Sequence, residues 1–281
     1  MFVIVGALIV MSCVIGGYVM HHGNLSILFQ PTELLIIGGA ATGALVIQSP
    51  PRILGLVLKG MSKIFSRSMS KKDFIEILSL LNKIFSKMRK EGLIAIENDI
   101  ENPEESPIFK EHEGVMKNHH ALQFICDNLK VIISSNISPF ELETVMDSEI
   151  EAHHKEAMIP SDTVTKIADG LPALGIVAAV LGVVITMGKI NEPPAILGAS
   201  IGAALVGTFL GVLLSYGFVG PVGTNLAHVV EDEAVCLHVI KIALVNFVGG
   251  AAPQVAVEFA RRVIPSGGKP TFNELEDSLR K

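Results

Sequence analysis

Residues 169–188, "DGLPALGIVAAVLGVVITMG", carry no charge between Asp169 and Lys189. A helix of about 20 apolar residues crosses the hydrocarbon core of a bilayer. This run has that length, and Gly, Ala or Thr recurs along it. It holds no group able to do chemistry, so its content is packing. Small residues let two helices approach closely in lipid, and the spacings Gly175–Ala179, Ala178–Gly182 and Gly182–Thr186 supply such a face.

The same reading extends outward. Met1–Met20, Leu34–Ile47 and roughly Ala195–Gly220 are the other uncharged runs, the second of them short and bounded by Glu33. With 18% charged residues, no Trp and a mean hydropathy of +0.52, the chain is too apolar for an ordinary soluble domain. Met1–Met20 has no Lys or Arg before it, unlike a secretory signal peptide, and is read as the first span. Lys and Arg near spans stay cytoplasmic. Residues 52–166 hold 15 of the 22 basic residues and the tail after Pro221 holds 6. Both termini are therefore expected on the cytoplasmic side of the membrane. The expected division is residues 1–48 for spans one and two, 49–168 for a cytoplasmic helical region, 169–222 for spans three and four, and 223–281 for a helical tail.

The net charge of −6 argues against a nucleic-acid surface. Cys13, Cys126 and Cys236 are isolated, which indicates neither a disulfide framework nor a cysteine metal site. In the large loop, Phe74, Ile77, Leu78, Leu81, Ile84, Phe85 and Met88 recur at steps of three and four. They predict an amphipathic helix that continues to the break at "ENPEESPIF". Further helices are expected over His120–Ile133 and from Ser138–Pro139 through "FELETVMDSEIEAHHKEAM", and "PPRILGLVLKGM", from Pro50, reads as a surface helix. No strand alternation persists, so the fold class is all-α, a polytopic membrane protein with four transmembrane helices and a large helical cytoplasmic loop.

Glu149 and His153 have a spacing that would put two metal ligands on one helix face, but no further metal motif accompanies them, and a solvated helix is the expected reading. Nor is there a nucleophile elbow or a phosphate-binding loop, so an enzyme is not expected. Span four offers Gly198–Gly202 and Gly207–Gly211–Ser215 as a second small-residue face. Thr186 and Thr208 are the threonines of spans three and four, and each hydroxyl either bonds back to its own helix or faces a path. Pro172 and Pro221 sit at the cytoplasmic ends of these spans, as hinges or as helix punctuation. An ion pathway ordinarily needs an ionisable group, which spans three and four lack. A partner must then bring the carboxylate, or no ion moves.

"ALVGTFLGVLLSYGFVGP", residues 204–221, resembles the signature of the flagellar motor stator A subunits (MotA), within the MotA/TolQ/ExbB proton channel family. "GLPALGIVAAVLGVV", "QPTELLIIGGA", "GLIAIENDIENP", "MDSEIEAHHKEA" and "PQVAVEFARRVI" resemble the same family, in its order. The resemblance implies an ion-conducting complex that converts ion-motive force into torque on the rotor. It implies a pentamer of this chain around a MotB-type B-subunit dimer whose membrane aspartate carries the ion, H+ with Na+ as the other candidate. It also implies no further cofactor and contact with the rotor protein FliG. Matched to the family, Thr208, Thr186, Pro172 and Pro221 would line or flank the ion path, and Arg89, Glu97 and Glu149 would face the rotor. An energiser of the ExbB or TolQ type is the alternative within the family. Those relatives have three spans, against four read here.

Overall fold

The computed structural model describes residues 2–64 and 69–280, and among them every regular element is helical. Helix α1 (Phe2–Met20) buries none of its own residues. Asn24 caps α2 (Leu25–Leu28) by accepting from the Ser26 amide. Helices α3 (Pro31–Gln48) and α4 (Pro51–Lys63) each begin on a proline, whose fixed φ and missing N–H suit a first helical position. The second apolar run thus starts three residues before the expected Leu34, and Glu33 lies inside the helix and not at its border.

Helix α5 (Lys71–Glu91) opens on a capping box in which Ser70 and Asp73 exchange bonds, and it stops at Gly92, φ 96°. That backbone conformation favours glycine. The single helix expected to run on toward Asn102 is therefore broken into α5, a 3-10 turn at Leu93–Ile96 and α6 (Glu97–Glu101). Two short helices follow, α7 (Pro107–Lys110) and α8 (Glu113–Lys117), and then α9 (His119–Ser134).

Helix α10 spans Pro139–Met187 without interruption, with Pro160 and Pro172 inside it. The loop helix and the third span expected as separate elements are one helix of 49 residues, about 73 Å long at 1.5 Å per residue. Helix α11 (Pro194–Leu214) passes through a π-helical turn at Ser215–Val219 into α12 (Gly220–Val248). The π turn gives Pro221 its place: the proline can donate no bond and would crowd the carbonyl one turn back. The widened turn before it, where the Gly220 amide donates to Ser215, takes up that misfit. The helix expected to end near Gly220 runs on. Helices α13 (Pro253–Arg262) and α14 (Phe272–Leu279) complete the chain.

Among the described residues, four helical runs are long and apolar enough to cross a membrane: Phe2–Met20, Leu25–Gln48, Pro139–Met187 and Pro194–Val248. The chain divides into two compact units. The first comprises Met1–Ser66 with Ala157–Val229, and the second Arg67–Glu156 with Val230–Lys281.

The second unit is built around large side chains. Ile77, Leu78, Leu81, Ile84 and Phe85 of α5 are fully buried with Ile125 and Leu129 of α9 and Ile240 and Leu244 of α12. Each such burial contributes roughly 1.5–3 kcal/mol. The Phe85 and Phe247 rings stack at 4.3 Å. The apolar positions expected from the helical spacing all face this core. Its buried cation, Lys241, is matched by Asp147 at 2.8 Å and Glu143 at 3.5 Å. The first unit is assembled on different terms, described with the site.

Candidate functional site

The seam between α10 and α11 brings together the small residues of both helices. A Cβ built on Gly175 would lie 2.8 Å from the Gly207 carbonyl oxygen, and one on Gly211 would lie 2.7 Å from that of Leu171. Gly207 approaches the Ala179 amide in the same way, and Gly182 approaches Ala204. These contacts hold one antiparallel register: 175 with 211, 179 with 207, 182 with 204. The spacing in each helix is three or four residues, one face of an α-helix, so glycine permits near backbone contact. Gly198 meets nothing within 4 Å, and Gly202 meets only Ile27 at 3.7 Å. The small-residue pattern of span four therefore divides into a packed half and an open half. Ile37 and Ala41 of α3 close the seam over Leu171 and Ala178.

The two threonines differ. Thr186 is buried, and its hydroxyl donates to the Gly182 carbonyl at 2.8 Å, so its bonding is met within its own helix. Thr208 is half-buried, and no hydrogen bond engages its hydroxyl among the described residues. The register sets Thr208 level with Ala178, two turns from Thr186 on α10, or about 12 Å along the axis. They are not neighbours. Pro172 lies within α10, half-buried, and Pro221 is exposed. Pro221 lines an open cavity of about 540 Å³ with Thr165, Asp169, Tyr216, Gly220, Thr224, Asn225 and His228. Neither proline ends its helix.

In the second unit Arg89, Glu97 and Glu149 are all exposed. Arg89 and Glu97, expected on one helix, belong to α5 and α6 on either side of Gly92. Arg89 donates to the Ala251 carbonyl at 3.2 Å, and Glu149 accepts from Asn128 at 3.1 Å. His153 and His120 face each other at 3.3 Å, and no group of three or more metal-ligating side chains occurs among the described residues.

One ionisable side chain within the first unit was not singled out from the sequence. Glu33 of α3 is 7% exposed, and its Oε2 has no hydrogen-bond partner. That oxygen lies 2.7 Å from where a Cβ on Gly207 would stand, and Oε1 lies 3.7 Å from the equivalent point on Gly182. A carboxylate within an apolar run was the available signal, but the sequence reading assigned Glu33 to the border of the span.

Residues 4–92 match the motility protein A N-terminal family, and residues 112–237 match the MotA/TolQ/ExbB proton channel family. The chain is 42% identical over 281 residues to motility protein A of Salmonella typhimurium, covering 100% of this chain and 95% of that one. The chain belongs to the motility protein A family. Another relative is the chemotaxis protein LafT of Vibrio parahaemolyticus, 35% identical over 275 residues, 98% of this chain and 96% of that one. The fold is shared with a chain of C. jejuni MotAB, with a TM-score of 0.79 over 94% of this chain and 95% of that one at 19% identity. For a motility protein A, the α10–α11 seam and its threonines are where a channel function would be sought.

Proposed function

We propose that this chain is the A subunit of a flagellar stator, which with a MotB-type dimer conducts ions, H+ in our reading, and turns their flow into torque on FliG. The observation that carries this reading is the α10–α11 seam. The uncharged part of α10 after Asp169 and the uncharged α11 are joined by backbone contact at Gly175, Gly207 and Gly211, while Ile176, Val177, Val180, Leu181 and Leu205 remain exposed. Apolar side chains left outward on a membrane helix suit lipid, further copies of the chain in a pentamer, and the B-subunit helices. With no ionisable group on α11 or on α10 beyond Asp169, the membrane aspartate of the partner would be the ion carrier. The chain would span the bacterial inner membrane four times with both termini cytoplasmic. Residues 1–48 and 169–222 would form the spans, and 49–168 and 223–281 the cytoplasmic helices.

In this reading the unengaged hydroxyl of Thr208 faces the ion's route, and Thr186 supports the seam. Pro172 removes one backbone bond from α10, and the π turn before Pro221 loosens the α11–α12 passage, so both helices have a point where a bend is cheap. One charge crossing the membrane releases about 2.3 kcal/mol per 100 mV, enough to bias such a bend. Arg89, Glu97 and Glu149 would meet rotor charges. Exposed pairs of that kind are worth about 1 kcal/mol or less, which suits contacts made and broken in each step. This family is a stator and channel family and not a known enzyme class. The match of residues 4–92 to the motility protein A N-terminal family favours the stator over an energiser of the ExbB or TolQ type.

The test is rotation of tethered cells that lack their own stators, supplied with this chain and its cognate B subunit. Rotation that a protonophore abolishes and sodium does not alter is the expected result. A stable membrane complex with no rotation would overturn the proposal.

A further inference from the structure

Glu33 is the ionisable side chain that the helix seam encloses. It extends from the first turn of α3 toward Gly182 on α10 and Gly207 on α11, the two points where glycine leaves room beside the backbone. An acidic residue at the third position of a helix ordinarily bonds back to the cap. Here Oε2 accepts no bond, Gln30 makes no side-chain cap, and the Gln30 amide group instead donates to the Ile27 carbonyl at 3.1 Å. Capping therefore does not account for this carboxyl.

Nor does a counter-ion. The elements packed around it are α2, α11 and the part of α10 from Gly170 to Met187. None of these carries an Asp, Glu, Lys, Arg or His, and α3 itself carries no other such residue. Titratable groups flank these elements at His21, His22, Arg52, Asp169, Lys189 and Glu192, and Glu33 makes no hydrogen bond or ion pair to any of them. An ionised carboxylate enclosed without a partner costs several kcal/mol, and such a group binds a cation or neutralises. A bound metal ion would need several oxygen ligands. The point beside Gly207 that Oε2 approaches is shared most closely with the Ala179 amide and the Ala178 methyl, neither of them an oxygen, and the Thr186 hydroxyl, one turn beyond Gly182 on α10, is committed to the Gly182 carbonyl. A proton needs only the one oxygen.

We propose that Glu33 is a proton-binding site of the A chain itself, separate from any carboxylate that a partner brings. Hydronium or a neighbouring acid gives its proton to Oε2, an O–H bond forms there, and water or the donor's conjugate base is left. The reverse transfer discharges the site. Charging and discharging would switch Glu33 between a neutral group that fits the Gly182–Gly207 gap and an anion that the gap disfavours, which couples proton occupancy to the seam. Proton binding stands on the geometry alone; its use in torque rests on the stator reading.

An apolar carbodiimide reacts with protonated carboxyls in apolar surroundings and locates them by peptide mass spectrometry. In membranes holding the full complex, Glu33 should be labelled in neutral buffer. The labelling should fall about tenfold for each unit of pH once the site deprotonates, and it should vanish in Glu33→Gln. An unlabelled Glu33 in an assembled complex, or labelling that ignores pH from acid to alkali, overturns the proposal. Protection by sodium at fixed pH would make the occupant a metal ion and overturn it as well. Rotation supplies the second readout. Glu33→Gln keeps the shape and should assemble normally, yet slow rotation and flatten its dependence on external pH, and Glu33→Asp should restore that dependence. A Glu33→Gln motor with unchanged speed and pH profile refutes the coupling. Failure of the wild-type motor with normal labelling would refute the stator reading and leave the proton site standing.

Discussion

The two compact units are held together by opposite means. In the second, large side chains interdigitate: Phe85, Phe109, Ile77 and Leu129 are fully buried, and the buried charges Asp99 and Lys241 are paired. In the first, buried large residues are few, α1 buries none, and cohesion comes from glycines that bring backbones together at Gly175, Gly182, Gly207 and Gly211. The difference follows from the surroundings each is suited to. Water drives large apolar side chains inward, whereas lipid gives no such drive and rewards close contact instead. Packing by small residues also leaves room for a side chain such as Glu33 to enter, which a jigsaw core does not.

The strongest way to break this contrast is to remove a large side chain from the second unit. Phe85→Ala should cost about 3–5 kcal/mol, measured by urea unfolding of the full chain in detergent. A cost under 1 kcal/mol, on the order of an exposed substitution, would mean the unit is not packed as described. In the first unit the sensitive change runs the other way. Gly211→Ala places a methyl against the Leu171 carbonyl oxygen and should cost about 1–3 kcal/mol. Gly198→Ala, in open space, should be neutral or stabilising by up to about 1 kcal/mol. Thermal melting of the two variants side by side separates seam glycines from incidental ones, and equal effects would remove the distinction.

Smaller stability effects are expected at the threonines. Thr186→Val loses one hydrogen bond within its own helix, worth about 1 kcal/mol, and should leave rotation near normal. Thr208→Val should leave the melting temperature unchanged while rotation falls. Reversed outcomes would exchange their roles. The smallest effect belongs to the C-terminal capping box. There the Thr271 backbone amide, Lys71 and the Thr271 hydroxyl hold the Glu274 carboxyl down to about 2. A depressed carboxyl stabilises the fold above its ordinary range and ceases to as pH falls toward that value. Melting in acid should therefore show a slight loss that Glu274→Gln lacks.

Much of this was legible beforehand because periodicity is local. The i, i+3, i+4 recurrence from Phe74 to Met88 identified the buried face of α5. The uncharged runs identified the apolar helices. Other features were not legible. Gly92 read as one more helical residue until its φ of 96° broke the helix between Arg89 and Glu97. Pro172 and Pro221 read equally as hinges or as helix punctuation, since the lost backbone bond alone does not choose between a bend and an end. Within long helices that loss is absorbed, in one case by a π turn.

The helical class, the apolar runs, the amphipathic face of α5 and, through the motifs, the family were all readable from residue order, because each depends on the order and type of nearby residues. Tertiary structure alone decided which glycines touch, which threonine keeps an unengaged hydroxyl, and where Glu33 points. Those depend on a register between helices far apart in the chain, and no local pattern specifies a register.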